Sequence, residues 1–307
     1  MAAEWLSSVM MGANKWWNGL YSRTIDVGDG LRFPYLEGGS SREIVLLIHG
    51  YGDSKETWIE YSSFLVKNGY RVLAPDLLGH GENDGHADAD YGTAAQAHRL
   101  IKFLDRTVGK RYEDESSDPI SVHVAGNSMG GWISLQLALH YPERVRSLTL
   151  ICSAGVDGDQ KSELDIAMER GEQPMSVESR EDVDRMLNFA LVNPPYIPWF
   201  YKDFIVQTRR RLATPLAKVL ESLLTEKVDC PLVGQLKQIS APTLVLWGAE
   251  DRLVHVSSAD VLEKNIPCAQ KVVLEGVGHC PQVEAAEKAA LAQTTFLQSL
   301  AAQNETS

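Results

Sequence analysis

The stretch Ile120-Ser121-Val122-His123-Val124-Ala125-Gly126-Asn127-Ser128-Met129-Gly130-Gly131 decides how this chain folds. Residues 120–125 are β-rich and mostly apolar, the pattern of a strand buried on both faces of a parallel sheet. Residues 132–140 carry a helical pattern. Between them, Gly126-Asn127-Ser128-Met129-Gly130 has the G-x-S-x-G spacing. A strand that becomes a helix over so few residues must turn sharply. The serine at the apex is forced into strained backbone angles that lift its hydroxyl above the sheet. Gly126 and Gly130 give clearance where side chains would meet backbone, and Gly131 lets the helix pack close to the strand. The helix N-terminus at the serine favours a developing negative charge. A lone G-x-S-x-G is often a chance loop. The strand, the helix and Gly131 together mark Ser128 as a nucleophile.

A serine hydroxyl is weak near neutral pH, so it needs a base, and the base needs an orienting acid. On a sheet of this kind they follow in the order Ser, Asp or Glu, His. The strand at residues 243–247 runs into Gly248-Ala249-Glu250-Asp251-Arg252, and the strand at 271–274 into Glu275-Gly276-Val277-Gly278-His279. Both loops leave the carboxyl ends of parallel strands, where open sheets keep their ligand sites. Glu250 and Asp251 compete for the acid role. Adjacent residues point apart, so only one can serve.

Among the eight histidines, His279 alone stands between a glycine-bearing strand end and an apolar-patterned helix. His98, His123 and His140 read as structural or surface groups. His80 and His86, in a glycine-rich loop, are placed near the site entrance, and His255 is a distant rival. The tetrahedral intermediate needs preorganised donors for its oxyanion. The backbone N–H groups of Met129 and of Tyr51, in His49-Gly50-Tyr51-Gly52, are the expected pair. His49 reads as a histidine bonded to loop backbone.

Outward from this centre, strands at residues 43–48, 70–74 and 146–151 alternate with helices at 57–68 and 93–108. Two short strands flank the turn Gly28-Asp29-Gly30, and a helix at 284–300 closes the chain. This alternation gives an α/β fold: a mostly parallel central sheet with helices on both faces. After Ile151 the rhythm breaks until Thr243, far longer than the roughly 30 residues of a βαβ unit. The excess is an inserted helical cap, with an aromatic and proline-rich centre at Asn193-Pro194-Pro195-Tyr196-Ile197-Pro198-Trp199-Phe200-Tyr201. The expected division is an amphipathic helix at 1–22, a core at 23–152 and 241–307, and a cap (lid) at 153–240. Arg209-Arg210-Arg211 in the cap reads as a solvated face.

The set His49-Gly50-Tyr51-Gly52, Pro75-Asp76 with Gly79-His80-Gly81, Gly126 to Gly131, Gly248 to Arg252 and Gly278-His279 resembles the α/β-hydrolase superfamily. More narrowly, it is similar to the monoacylglycerol lipases and bacterial esterases that carry a Gly-Asn-Ser-Met-Gly-Gly elbow. Residues 182–221 share that group's helical layout. The resemblance favours Asp251 over Glu250. It implies a Ser128–Asp251–His279 triad, an oxyanion hole at Tyr51 and Met129, and no metal or organic cofactor. The expected activity is hydrolysis of small lipid-like acyl esters, such as monoacylglycerols, through an acyl-enzyme. Epoxide hydrolases and dehalogenases use an Asp nucleophile, which Ser128 argues against. Carbon–carbon bond hydrolases of meta-cleavage products share the triad and cap and are the alternative. A binding protein that has lost catalysis would not keep all five motifs.

The bulk numbers fit. At 44% hydrophobic over 307 residues the chain can bury a core. A net charge of −12 repels phosphate backbones, so no nucleic-acid partner is expected. Cys152, Cys230, Cys268 and Cys280 have no framework or zinc spacing and read as free thiols. No apolar run is long enough to span a membrane and no secretory signal is evident, so a cytoplasmic location is expected. Trp5, Leu6, Val9, Met10, Ala13, Trp16, Trp17 and Leu20 form one helical stripe. Residues 5–20 therefore either rest on a lipid surface, where tryptophan favours the headgroup layer, or pack on the protein's own body.

Overall fold

The computed structural model describes residues 2–28, 30–86, 88–109, 120–229 and 232–306. Asp29 and Cys230 lie outside these residues, as do the side chains of Trp5, Leu6 and Val9. Eight strands form one sheet: β1 (Leu20–Gly28), β2 (Leu31–Gly38), β3 (Ile44–Ile48), β4 (Arg71–Pro75), β5 (Val122–Asn127), β6 (Val145–Ile151), β7 (Thr243–Gly248) and β8 (Ala269–Leu274). Their spatial order is β1-β2-β4-β3-β5-β6-β7-β8. β1 and β2 are antiparallel, and β2 joins β4 antiparallel; from β4 to β8 every pairing is parallel.

β3 is apolar at every position, and β4, β5 and β7 are buried at every position, because both of their faces are covered. In β3, Leu46 and Ile48 enter one core layer with Phe103, Leu100 and Ile133. Val45 and Leu47 enter the opposite layer with Trp58, Leu65 and Phe296. β7 repeats the division, with Val245 and Trp247 on the first side and Leu244 and Leu246 on the second. The first layer is covered by α3 (Thr93–Thr107), α4 (Met129–His140) and α9 (Ser257–Asn265). The second is covered by α2 (Ile59–Lys67) and α11 (Ala286–Thr306), which a short α10 (Pro281–Glu284) precedes.

Among the described residues, four α-helices lie between β6 and β7: α5 (Glu163–Glu169), α6 (Arg180–Ala190), α7 (Trp199–Arg211) and α8 (Ala213–Asp229). Ser162 with Asp165, and Ser179 with Asp182, close capping boxes that satisfy the first N–H groups of α5 and α6. α7 begins inside the aromatic stretch, at Trp199. Val177, Val183 and Val206 give the cap a small core of its own. Several ties reach the main body, two of them through the residues around α3 and the loop after β3. Glu226 accepts from the Thr93 N–H at 2.9 Å and from its hydroxyl at 2.6 Å, capping α3, and Tyr51 donates its phenol to Leu216 O at 3.2 Å.

The N-terminal helix, α1 (Ala2–Trp17), stops short of residue 22 because Leu20 opens β1 and is buried there. α1 lies against α7 and β1. Lys15 fixes it through Glu56 and Ser22, both at 3.0 Å. Trp16 and Trp17 are 73% and 82% exposed, so this end of the stripe does not pack on the body. Among the described residues no helix is long and apolar enough to cross a membrane.

Candidate active site

Ser128 occupies the turn between β5 and α4 with φ 57° and ψ −122°. A non-glycine residue pays strain there, and it persists only because neighbours over-determine the turn. The Ser128 N–H donates to Ile151 O at 3.0 Å. Its carbonyl accepts from the N–H groups of Gly131, Trp132 and Ala154 at 2.9, 3.2 and 3.0 Å. A Cβ on Gly126 would stand 2.1 Å from Gly130 O, and one on Gly130 2.1 Å from Ile48 O. At Gly131 it would meet Ser153. The elbow glycines are therefore required by contact, as the sequence implied.

His279 and Asp251 stand on the loops after β8 and β7. His279 Nδ1 lies 2.8 Å from Asp251 Oδ2 and 3.0 Å from Oδ1, both side chains buried. Asp251 also accepts from the N–H groups of Leu253 and Val254 at 2.8 and 3.0 Å, which holds it aimed at the imidazole. With Nδ1–H donated to the acid, Nε2 keeps its lone pair for a proton. The His279 N–H donates to Ala190 O at 2.8 Å, so the end of α6 also holds this loop. Glu250, the rival acid, turns away and accepts from the Val277 N–H at 3.0 Å.

Asn127 was missed as a site residue, although it sits inside the elbow. Its Nδ2 donates to His279 O at 3.0 Å and Ile151 O at 3.1 Å, and its Oδ1 accepts from Gln282 Nε2 at 3.1 Å. It ties the serine turn to the histidine loop. Cys152 Sγ, the Asp251 carboxylate and a His279 ring nitrogen lie within 4.8 Å of one another, donor types that suit zinc. Here the thiol accepts from the Gly248 N–H at 3.4 Å, and burial, with Asp251 nearby, pushes its pKa well up. Cys280 is raised by burial too, so nothing activates it. Cys152, Cys268 and Cys280 are free thiols.

The loop after β3 approaches the serine from the other side. A Cβ on Gly50 would lie 3.2 Å from Ser128 Cβ. Among the described residues no acceptor takes the N–H of Tyr51 or of Met129. His49 is buried. Its Nε2 accepts the Leu77 N–H at 3.0 Å, so Nδ1 carries the proton and donates to Gly50 O at 2.9 Å. Burial lowers its pKa, and the neutral ring shapes the turn as expected. Below it, Lys55 and Asp76 are both fully buried. Asp76 accepts the Lys55 N–H and Nζ, each at 2.7 Å, and the Glu82 N–H at 2.9 Å. Burial pushes Asp76 up to about 6 against the pull of Lys55.

The remaining histidines settle. His80 is buried against His49 and Tyr51, with ring centroids 5.2 and 6.1 Å away, and does not line an entrance. Backbone atoms of His86 bond the Tyr91 hydroxyl. His255 is no rival base; its ring bonds Ser257. The arginine run is a solvated face at Arg210 and Arg211, which are exposed, but not at Arg209, which is half-buried. Arg210 donates to Glu178 O at 2.7 Å and Arg211 to Gly81 O at 2.6 Å, while Arg209 points inward against Gly52.

The profile of the Alpha/beta hydrolase family matches residues 45–292. Lipase 1 of Psychrobacter immobilis is 35% identical over 286 residues, covering 92% of this chain and 85% of the lipase. Monoacylglycerol lipase abhd6-A of Xenopus laevis is 29% identical, covering 88% and 80%. The crystal structure of a membrane phospholipase A, a bacterial virulence factor, superposes with a TM-score of 0.87 at 35% identity, covering 97% of this chain and 92% of that one. The chain belongs to the α/β hydrolase family, and its chemistry is carboxylic-ester hydrolysis.

Proposed function

We propose that the chain hydrolyses lipid-like acyl esters, such as monoacylglycerols, through an acyl-enzyme on Ser128. The observation that carries this reading is the buried His279 Nδ1–Asp251 pair at 2.8 Å on loops tied, through Asn127, to the strained Ser128 turn. His279 Nε2 takes the Ser128 proton as the hydroxyl attacks the acyl carbon. The Tyr51 and Met129 N–H groups hold the oxyanion, where losing one donor costs about 10²–10³ in rate. His279 then protonates the leaving alcohol, and a water activated by the same imidazole releases the acid. Asp251 fixes the tautomer and stabilises the charged ring. The cap shelters the acyl chain over residues 195–201.

The exposed Trp16 and Trp17 on α1 support docking on a lipid surface, with Tyr196, 88% exposed, as a further aromatic on the cap. Vesicle flotation with Trp16→Ser/Trp17→Ser checks this: unchanged partitioning would discard it.

The test of the reaction is hydrolysis of nitrophenyl esters of increasing acyl length and of monoacylglycerols. Ser128→Ala should lower kcat by about 10⁵–10⁶-fold while leaving the fold intact. Inactivity of the parent enzyme on every ester would sink the reading. A second reading, the carbon–carbon bond hydrolase, draws on one observation: a half-buried cation, Arg209, reaches the oxyanion loop, and meta-cleavage products are acidic dienes. A vinylogous diketone turned over faster than any ester would put that reading first.

A further inference from the structure

Arg209 leaves α7 on the side facing the core, and its guanidinium rests on Gly52, directly after Tyr51. A Cβ at Gly52 would stand within 2.7 Å of Nη1, Cζ and Nη2, so only glycine leaves room for the guanidinium. The guanidinium is half-buried, and that burial lowers its pKa. Guanidinium carries five N–H donors in a planar fork. Among the described residues, its one hydrogen-bond acceptor is the Met186 thioether, at 3.6 Å. Thioether sulfur is a weak acceptor.

The surrounding groups leave it unfilled. Asp53 acts on it by charge from outside ion-pair range, and its carboxyl is already taken up by the Ser54 N–H at 2.8 Å and by Thr57. The Tyr51 phenol donates to Leu216 O. His80, packed on Tyr51, carries a buried Nε2 without a partner. A half-buried guanidinium with one weak acceptor and a buried ring nitrogen without a partner thus flank the same oxyanion loop. The neighbours of Arg209 in the run, by contrast, both close on carbonyl oxygens. A partly desolvated charge is tolerated when something pairs with it.

We propose that Arg209 receives an anionic oxygen group, phosphate or carboxylate, carried by the ester substrate, so that the enzyme selects anionic acyl esters over neutral ones. The proposal rests on the ester-hydrolase reading and deepens it. The fork matches two oxygens of one such group at once. The reach is suitable: Gly52 is two residues beyond Gly50, which touches the serine, and two residues span at most about 7 Å. A glycerol phosphate bridges such a distance from an ester carbonyl in the oxyanion hole.

The experiment compares a short-chain 1-acylglycerol with its 3-phosphate in the full chain. In wild type, kcat/KM should favour the phosphate by about 10-fold or more. Arg209→Gln should lower the ratio of the two values by about 10- to 100-fold, with Arg209→Lys between. Equal kcat/KM for both esters in wild type overturns the proposal. So does an unchanged ratio in Arg209→Gln with both rates and the melting temperature lowered, which makes Arg209 a brace. Competitive inhibition by inorganic phosphate, lost in Arg209→Gln but without preference for the phosphate ester, assigns a free-anion site and overturns the substrate claim. Calorimetry of the phosphate ester on Ser128→Ala, with and without Arg209→Gln, needs no turnover. If the parent enzyme cleaves no ester, that binding difference still decides on Arg209 while the ester reading falls alone.

Discussion

The carboxyl edge of the sheet, which carries Ser128, and the helices inserted between β6 and β7 are held by different means. On the sheet side every candidate residue is fixed through backbone. Ser128 is locked by four main-chain bonds, Asp251 by two N–H donors, His49 by Leu77 and Gly50. In the inserted helices many ties run side chain to side chain and are partly exposed: Arg180 with Asp203 and Lys202 with Asp184 inside the insertion, and Arg211 with Asp84 across to the core. Backbone bonds hold groups to the tolerance that transition-state stabilisation needs. Surface ion pairs contribute little each and are screened by salt. The candidate triad therefore sits on the part held through backbone, and the inserted helices rest more on exposed side-chain pairs.

The sharpest break of that contrast is Asp251→Asn. The amide keeps the shape and the Leu253 and Val254 contacts, but it can donate to Nδ1 and so favours the wrong tautomer. We expect kcat to fall by about 10⁴-fold with the melting temperature nearly unchanged. A fall of tenfold or less would mean that Glu250, not Asp251, orients His279.

Next come two glycine-to-alanine changes, one on each side. At Gly130 the new Cβ would collide with Ile48 O and His49 O, both backbone atoms of the strand under the site. Neither can yield without moving β3, so about 3–5 kcal/mol should be lost, or the chain should fail to fold. At Gly171 in the cap, φ is +78° and the space around is open. There only the left-handed backbone costs, about 1–2 kcal/mol. Urea unfolding of the two variants measures both. Equal losses would erase the distinction between halves.

The same contrast explains what the sequence made legible. β3 and β7 are covered on both faces, so burial writes itself as an unbroken apolar run. Ser128, Asp251 and His279 each sit in one short loop with glycines beside it, so local spacing suffices. Lys55 is the opposite case. Within Asp53-Ser54-Lys55-Glu56 it reads as a surface turn, because its partner Asp76 lies on another strand end. Arg209 fails for a related reason: which of three consecutive arginines turns inward depends on how α7 lies against the oxyanion loop. The stripe on α1 fixed a face but not its neighbour, and its first residues lie outside the described side chains. Asn127 had a signal, a polar residue inside an otherwise apolar elbow, yet its partners come from β6 and the histidine loop.

The smallest effect belongs to the cap surface. Arg180 forms a two-pronged contact with Asp203, with Nη2 at 2.7 Å from Oδ2, and its guanidinium lies 5.3 Å from the centre of the Trp199 ring. Geometry alone would rank this among the strongest pairs in the molecule. Solvent reverses the ranking. Both charges are water-accessible, so the unfolded chain solvates them almost as well. Fixing two long side chains costs entropy that the contact must first offset. Arg180→Ala should leave the melting temperature within measurement error at 150 mM salt, and the acyl-length profile unchanged. A clear loss, persisting at 1 M salt where such a pair is screened within about 3 Å, would show that the stacking on Trp199 holds the start of α7. The cap would then be built as firmly at that corner as the sheet edge it faces.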